Sequence, residues 1–465
     1  MSLRSFICLN VALTCGGLGR GADVVHYQML YGTTVAYNVG GSTTGFWSAR
    51  GSFDLRFLDQ TADSSRYVVE NMQISADPAH QFVGSGELVV PITRNPQILL
   101  NLTNVLTPQI GVTFTNVSIT TDRRWPMLAL RARETTASDA VYTVSIRAAP
   151  FQDIWISPAT DFRADTFAAP TNIIHSGDLV SLDGRVIKRN HELVVPFAPA
   201  SSADYGLDAL SLSPGGGLAI STHDVAEMRD GDILVPNPPR RIRYTDIFTN
   251  AIATSMADPG IDGFQFTSAT AFYFSIKRDT GYALNSTTTV QLRDADIWWA
   301  DLQTHELRLA RSREQLFSYP DYQPWLADPQ VGIDAFYIWP SGEVWFSLRS
   351  SWTAHTAIYS SDGYAVFTDE FVFKNFKPAV NPGLDAFLVI TDLAPVLSTP
   401  PALKILISPT ALLLNWPETG GAYQLESSAT VNGQFQVASP VIPNPSLIAI
   451  PDSNTRSRFY RIRQW

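Results

Sequence analysis

The sequence predicts an all-β chain: an N-terminal β-sandwich, a central four- or five-bladed β-propeller-like repeat domain and a small C-terminal β-sandwich. Three observations carry this expectation. Apolar and polar residues alternate over short runs, and Gly, Pro, Asn and Asp interrupt them every 8–12 residues or so, as in all-β folds. A Gly-[Leu/Ile]-Asp triplet recurs along the middle of the chain with the same pattern after each copy. Almost no stretch carries the 3.6-residue period of an amphipathic helix. The composition agrees. Of 465 residues, 45% are hydrophobic and 16% charged, which supports ordered cores and argues against a coiled coil or a disordered chain. A net charge of −10 disfavours a nucleic-acid-binding face, which needs a basic patch.

The chain opens with Arg4, an apolar run from Phe6 to Leu18, and the small residues Gly19, Gly21 and Ala22. This is the pattern of a secretory signal peptide over residues 1–21, with cleavage after Gly21. Both cysteines, Cys8 and Cys15, fall inside it, so the exported chain is expected to lack thiol chemistry, disulfides and Cys-based zinc sites. No later stretch approaches the roughly 18 apolar residues of a membrane-spanning helix, so no span is expected.

Residues 23–150 form a first block. Ser52–Phe57 alternates as a half-buried strand, Gln97–Leu102 is a more continuously apolar one, and Val141–Ile146 is a third. A sandwich or jelly-roll-like domain is the expectation here.

Residues 151–396 hold the repeat. Its copies open at Gly206-Leu207-Asp208, Gly260-Ile261-Asp262, Gly332-Ile333-Asp334 and Gly383-Leu384-Asp385, with an earlier degenerate copy that has Gln152 in the Asp place. Apolar pairs follow at strand period two: Leu210 and Leu212, Phe264 and Phe266, Phe336 and Ile338, Phe387 and Val389, with Ile154 and Ile156 in the first copy. A second strand ends at Ser221, Ser275 and Ser347. A third is preceded by an acid: Asp178, Asp232, Asp296 and Glu370. Five residues beyond each acid stands Asp183, Asn237, Asp301 or Asn375, as a hairpin turn requires. Each unit is thus four antiparallel strands. Such sheets bury both faces when set radially, which gives a propeller, and the piece after Gly383 completes the first blade. A linear β-solenoid is the structural alternative.

Ser398-Thr399-Pro400-Pro401 marks a linker, and residues 402–465 read as a third β domain. Its landmarks are Leu414-Asn415-Trp416-Pro417, Tyr423-Gln424-Leu425-Glu426-Ser427-Ser428 and Arg458-Phe459-Tyr460-Arg461-Ile462-Arg463. They resemble a short immunoglobulin/fibronectin-like module at the C-terminus of secreted bacterial proteins, notably of Verrucomicrobia and Planctomycetes. The middle region is similar to secreted bacterial proteins with repeated Gly-Leu-Asp-Ala units. The resemblance implies a secreted or cell-surface location and carries over no activity and no catalytic residue.

The chemistry-bearing candidates are few. Asp208, Asp262, Asp334 and Asp385 occupy equivalent places in the repeat. Facing one axis, they suit a cation, and calcium in particular; the plainer reading is that each caps local amides in its own unit. Asp230-Gly231-Asp232 and Asp294-Ala295-Asp296 are weaker calcium candidates. Of the clustered tryptophans, Trp325 and Trp352 lie in loop-like sequence and are the candidates to stack on sugar rings; packing is the alternative. The seven histidines form no metal motif, and neither a Gly-x-Ser-x-Gly elbow nor a phosphate-cradling glycine loop is present. The sequence therefore points to an exported, non-enzymatic protein that binds carbohydrate or protein at the cell surface, with no cofactor beyond calcium. The competing expectation is a propeller enzyme, a glycoside hydrolase or polysaccharide lyase, that draws acids from different blades.

Overall fold

A computed structural model describes residues 24–91, 96–106, 111–116, 125–135, 139–166, 172–197, 204–215, 217–223, 229–236, 238–249, 257–283, 289–349, 356–393, 404–407, 412–416, 422–430, 435–443, 446–449 and 459–465. The signal peptide expected over residues 1–21 lies outside the described residues. The chain is all-β, with short helical turns between sheets.

The first block is one sheet rather than two packed ones. Its strands are β1 (Val24–Met29), β2 (Thr34–Val39), β3 (Ser42–Ser48), β4 (Arg50–Gln60), β5 (Ser64–Asp77), β6 (His80–Pro91), β7 (Gln97–Asn104), β8 (Gly111–Asn116), β9 (Leu128–Glu134) and β10 (Ala140–Ala149). From β4 to β10 each strand pairs antiparallel with the next. Strand β10 then pairs with β2 and, at Gln28↔Ala149, with β1, so the sheet closes on itself. The alternation that suggested a sandwich is real, since β7 reads exposed–buried throughout its first six residues. Alternation fixes only which face is buried; closure is what distinguishes a barrel from a sandwich. Register shifts along β4–β5 and β5–β6 supply the bends that closing needs. The enclosed face is one apolar core that includes Tyr27, Phe53, Phe82, Leu100, Phe114 and Ile146. Each such side chain, fully buried, contributes about 1.5–3 kcal/mol.

Four four-stranded sheets follow. Sheet one contains β11 (Asp153–Pro158), with a small side pair β12 (Phe162–Arg163) and β13 (Ile173–Ile174), then β14 (Leu179–Ser181) and β15 (Val186–Lys188). Sheet two is β16 (Ala209–Leu212), β17 (Leu218–Ser221), β18 (Ile233–Pro236) and β19 (Pro239–Ile242). Sheet three is β20 (Ile261–Phe266), β21 (Ala271–Ile276), β24 (Ile297–Asp301) and β25 (Glu306–Arg311). The inserted hairpin β22 (Thr280–Ala283) and β23 (Thr289–Leu292) explains why this copy is the longest. Sheet four is β26 (Gly332–Ile338), β27 (Val344–Arg349), β28 (Ile358–Ser360) and β29 (Tyr364–Phe367). Strand β30 (Leu384–Ile390) returns to pair with β11 over Asp153↔Ile390 to Pro158↔Leu384, completing sheet one. The leading strands touch in a cycle, β16 on β20, β20 on β26, β26 on β30 and β30 on β16.

Two alignments of the repeat change. Residues 152–158 are the second strand of sheet one, not the first, because β30 from the far end of the chain takes the leading place. In sheet four the residue before the third strand is Ala357 rather than Glu370, which sits in the helical turn Asp369–Val372. The acid of that unit is reached from the other side: Asp369 accepts from the amides of Thr356 (2.6 Å) and Ala357 (2.8 Å).

The last domain is two three-stranded sheets. Strands β31 (Lys404–Ile407), β32 (Leu412–Asn415) and β35 (Ser446–Ala449) make one; β34 (Gln436–Val437), β33 (Tyr423–Ser428) and β36 (Phe459–Gln464) make the other. The Tyr-Gln-Leu-Glu-Ser-Ser and Phe-Tyr-Arg-Ile-Arg landmarks are thus strands paired to each other, Tyr423↔Gln464 through Ser428↔Phe459. Leu414, Trp416, Tyr423 and Leu425 form its core. Arg463 bridges Glu426 to Asp392 just past β30, and so fastens this domain to sheet one.

Candidate functional site

Each of the four repeat acids stands at the start of a leading strand, where its triplet puts it. The preceding glycine is needed there. Gly206 has φ +63°, and a Cβ on it would lie 2.4 Å from the His223 ring. Because the leading strands form a cycle, Asp208, Asp262, Asp334 and Asp385 converge at one end of it. Their carboxyls act on one another electrostatically: Asp262 is perturbed by Asp208 and Asp385, and Asp334 by Asp262 and Asp385. Among the described residues, none of the four accepts from an amide of its own turn.

Instead, three of them are held by cations from the next sheet round the cycle. His223, two residues beyond Ser221, places Nε2 3.0 Å from Asp208 and 3.1 Å from Asp385. Lys277, two beyond Ser275, lies 3.2 Å from Asp208 and 3.5 Å from Asp230. Arg349, two beyond Ser347, binds Asp262 and, at 2.8 Å, Asp294. Sequence reading missed all three, although their fixed offset from the closing serine was available. They reach across a sheet boundary, which a unit-by-unit alignment does not expose. Arg278 adds a further contact to Asp230 at 3.3 Å.

Asp230 and Asp294, weak calcium candidates by sequence, are therefore the second acids under Lys277 and Arg349. Asp232 and Asp296 do something else. Asp232 accepts from the Tyr244 amide (3.2 Å) at the start of α1 (Tyr244–Ile247), and Asp296 from the Arg313 amide (2.8 Å) at the start of α2 (Arg313–Leu316). Asp178 does the same for Asn190 (3.0 Å) while accepting from Arg189 and the His175 amide. These three acids fasten the turn that leaves each fourth strand.

The ring's electrostatics follow from burial opposed by these cations. Burial raises Asp208, but the His223 hydrogen bond and the Lys277 charge hold it down to about 2. Burial and the neighbouring Asp208 carboxylate push Asp230 up to about 7. Burial, then Asp208 and Asp385, push Asp262 up to about 8 against the pull of Arg349. Asp334 is raised well above the usual carboxylate range by burial and by Asp262 and Asp385. Hydrogen bonds to Asp208 and Asp385 carry His223 up to about 10, so it is an imidazolium at neutral pH. Asp208, His223 and Asp385 are close enough to share one metal ion. A metal there must displace the imidazolium proton and sit beside the Lys277 ammonium, and both oppose it.

A second acid–histidine group, Asp161, His175 and Asp204, has structural work. Asp204 accepts from the amides of Gly177 (3.3 Å) and Gly206 (2.9 Å), and Asp161 from the amide of Ser176 (2.8 Å). Trp325 is half-buried in the helical turn Gln323–Ala327, stacked on Tyr322 at 4.5 Å and edge-on to Tyr359 at 4.7 Å. Trp352 lies outside the described residues. A separate cleft of about 730 Å³ opens between the barrel, sheets one and four and the C-terminal domain, with Arg50, Arg185, Lys374, Asp183, Glu370 and Asn375 on its walls.

Compared with known proteins, the chain matches no family model and no curated protein.

Proposed function

We propose that this is an exported, non-enzymatic binding protein, that its four cyclic sheets are the blades of a β-propeller, and that it engages carbohydrate or protein at the cell surface through the acidic end of the ring. The observation that carries this reading is the convergence of four equivalent aspartates from four sheets at one partly open end, where the His223 side chain is 37% exposed. Barrel and C-terminal domain then act as the supports that hold the ring outward. The acids alone would suit calcium, but the His223 imidazolium, Lys277 and Arg349 among them oppose it as a cofactor.

The enzyme reading has one observation in its favour. Asp208 at about 2 and Asp262 at about 8 place an ionised and a protonated carboxyl in one cluster, the division that glycoside hydrolysis uses. Against it, Asp208 and Asp262 are only 3% and 4% exposed, and each is already engaged by a cation. Binding arrays of bacterial surface glycans and proteins, run beside a turnover screen on polysaccharides, test the two. Saturable binding without turnover is the expected result. Turnover abolished by Asp262→Asn would overturn it.

A further inference from the structure

The ring repeats one device at three of its four junctions and lacks it at the fourth. Lys277 and Arg349 stand across from the triplet glycine of their own sheet and His223 across from Tyr205 just before it, and each reaches the aspartate of the preceding sheet. The equivalent residue of sheet one is Ala159, two beyond Ser157, whose amide faces Gly383 O at 3.3 Å. The aspartate that it should serve is Asp334 of sheet four. No described residue makes a hydrogen bond or ion pair to the Asp334 carboxyl; Arg349 acts on it only at longer range, its guanidinium being taken by Asp262 and Asp294. Asp208, by contrast, is served: besides His223 and Lys277 it shares a hydrogen bond with the Asp230 carboxyl, which is pushed up to about 7.

We propose that the junction between Ala159 and Asp334 is a binding site for one organic cation, a primary ammonium or guanidinium group such as a lysine or arginine side chain presents, which completes the ring. This deepens the surface-binding reading above and rests on it. The molecule itself shows which chemistry fits. At the other three junctions the partner of the acids is a nitrogen cation, an imidazolium, an ammonium and a guanidinium in turn. A carboxylate accepts N–H donors from such groups at about 2.7–2.9 Å in charge-assisted bonds. A divalent metal fits less well, because Lys277 and Arg349 already bring positive charge into the ring and His223 is held protonated. The site is also reachable: Ala159 and Asp334 are both partly open, and the rim side chain of Lys277 is 31% exposed.

With no cation of its own, Asp334 is raised well above the usual carboxylate range by burial and by Asp262 and Asp385, which favours its protonated form. A bound ammonium therefore displaces a proton from the ring. The test uses the full exported chain with n-butylammonium, n-butylguanidinium and calcium as separate probes. Titration calorimetry at pH 7 in two buffers of different ionisation enthalpy reads both affinity and proton release. The expected result is saturable binding of the two organic cations with release of up to one proton. Ala159→Lys, which supplies the missing cation internally, should weaken that binding at least about tenfold and raise the melting temperature. Asp334→Asn should weaken it by a similar factor, and serves if Ala159→Lys does not fold. Equal binding by wild type and both variants would overturn the proposal, as would binding of calcium in place of the amines or no binding of either amine. A glycan or protein partner that Ala159→Lys retains at full affinity would sink this inference alone. Amine binding with no array partner would leave this site standing and sink the surface-binding reading.

Discussion

Arg349→Gln tests the electrostatic account of the ring most directly. Arg349 spans the boundary between sheets three and four, holding Asp262 and, at 2.8 Å, Asp294, with its side chain 25% exposed. Removing one partner of a buried ion pair costs about 3–5 kcal/mol, because the other charge is left in low dielectric. With a quarter of the side chain in solvent, the low end applies, so about 3 kcal/mol is expected where both acids are ionised. That condition depends on pH. Asp262 is pushed up to about 8, so at pH 9 it is carboxylate and at pH 6 it is mostly the neutral acid. At pH 6 the variant therefore loses chiefly a hydrogen bond from a charged donor, worth about 1.5 kcal/mol. The difference, about 1.5 kcal/mol, is roughly a tenfold change in the unfolding constant between the two pH values. Guanidinium denaturation of wild type and variant at pH 6 and pH 9 reads it as a midpoint shift. A loss equal at both pH values, or larger at pH 6, would refute the claim that Asp262 carries the proton.

Four further outcomes follow from other parts of the molecule. Stability should be highest near pH 4 and fall from there towards pH 10: Asp230 and Asp262 bind protons more tightly folded than unfolded and lose their contributions between about pH 4 and pH 7–8, His223 loses its own between about pH 6.5 and 10, and that of Asp208, held near 2, is lost only as pH drops below about 4. A melting temperature that holds level or climbs from pH 4 to 8 contradicts this. Phe114→Ala empties a fully buried place in the barrel core and should cost about 3–5 kcal/mol, read as a drop in denaturation midpoint at unchanged slope. Asp178→Ala strips the acceptor from two amides and from Arg189, and should lose about 2–4 kcal/mol, against less than about 0.5 kcal/mol for exposed Asp63→Ala. Expressed with residues 1–21 intact, the chain should be recovered outside the cytoplasm beginning at Ala22, and mass spectrometry of a product still starting at Met1 would reject the expected signal peptide.

Much of the fold was legible because the repeat states it several times over. The Gly-[Leu/Ile]-Asp triplets, the apolar pairs at period two and the closing serines each mark a strand, and the strands lie where those marks put them. Local marks could not say which strand of a sheet a segment becomes. Ile154 and Ile156 satisfy the leading-strand pattern as well as the second-strand one, and only Ser157 fixes the choice. Its hydroxyl bonds the carbonyls of Ser176 and Asp178 just as Ser221 bonds those of Asp230 and Asp232. The barrel was misread for a related reason, since closure is a property of the whole sheet and leaves no trace in the alternation of any one strand. The acids of the site were visible and their cations were not. Like residues repeating at a fixed spacing announce themselves, whereas His, Lys and Arg share a place and a charge without sharing a letter.

That variation among the cations bears on why the ring breaks its pattern at one junction. If the device served stability alone, any of the three cations would serve at the fourth place, and a partly open Ala159 leaves room for each of them. Leaving the place empty leaves the Asp334 carboxyl raised by burial and by Asp262 and Asp385, a local violation that a single cationic substitution would relieve. The junction concerned is also where the chain ends meet, β11 from the beginning of the ring lying on β30 from its close. A sheet assembled from two distant segments can change one partner without disturbing a hairpin. Where local rules are broken at one site and kept at its three equivalents, the broken one is where function is expected to reside.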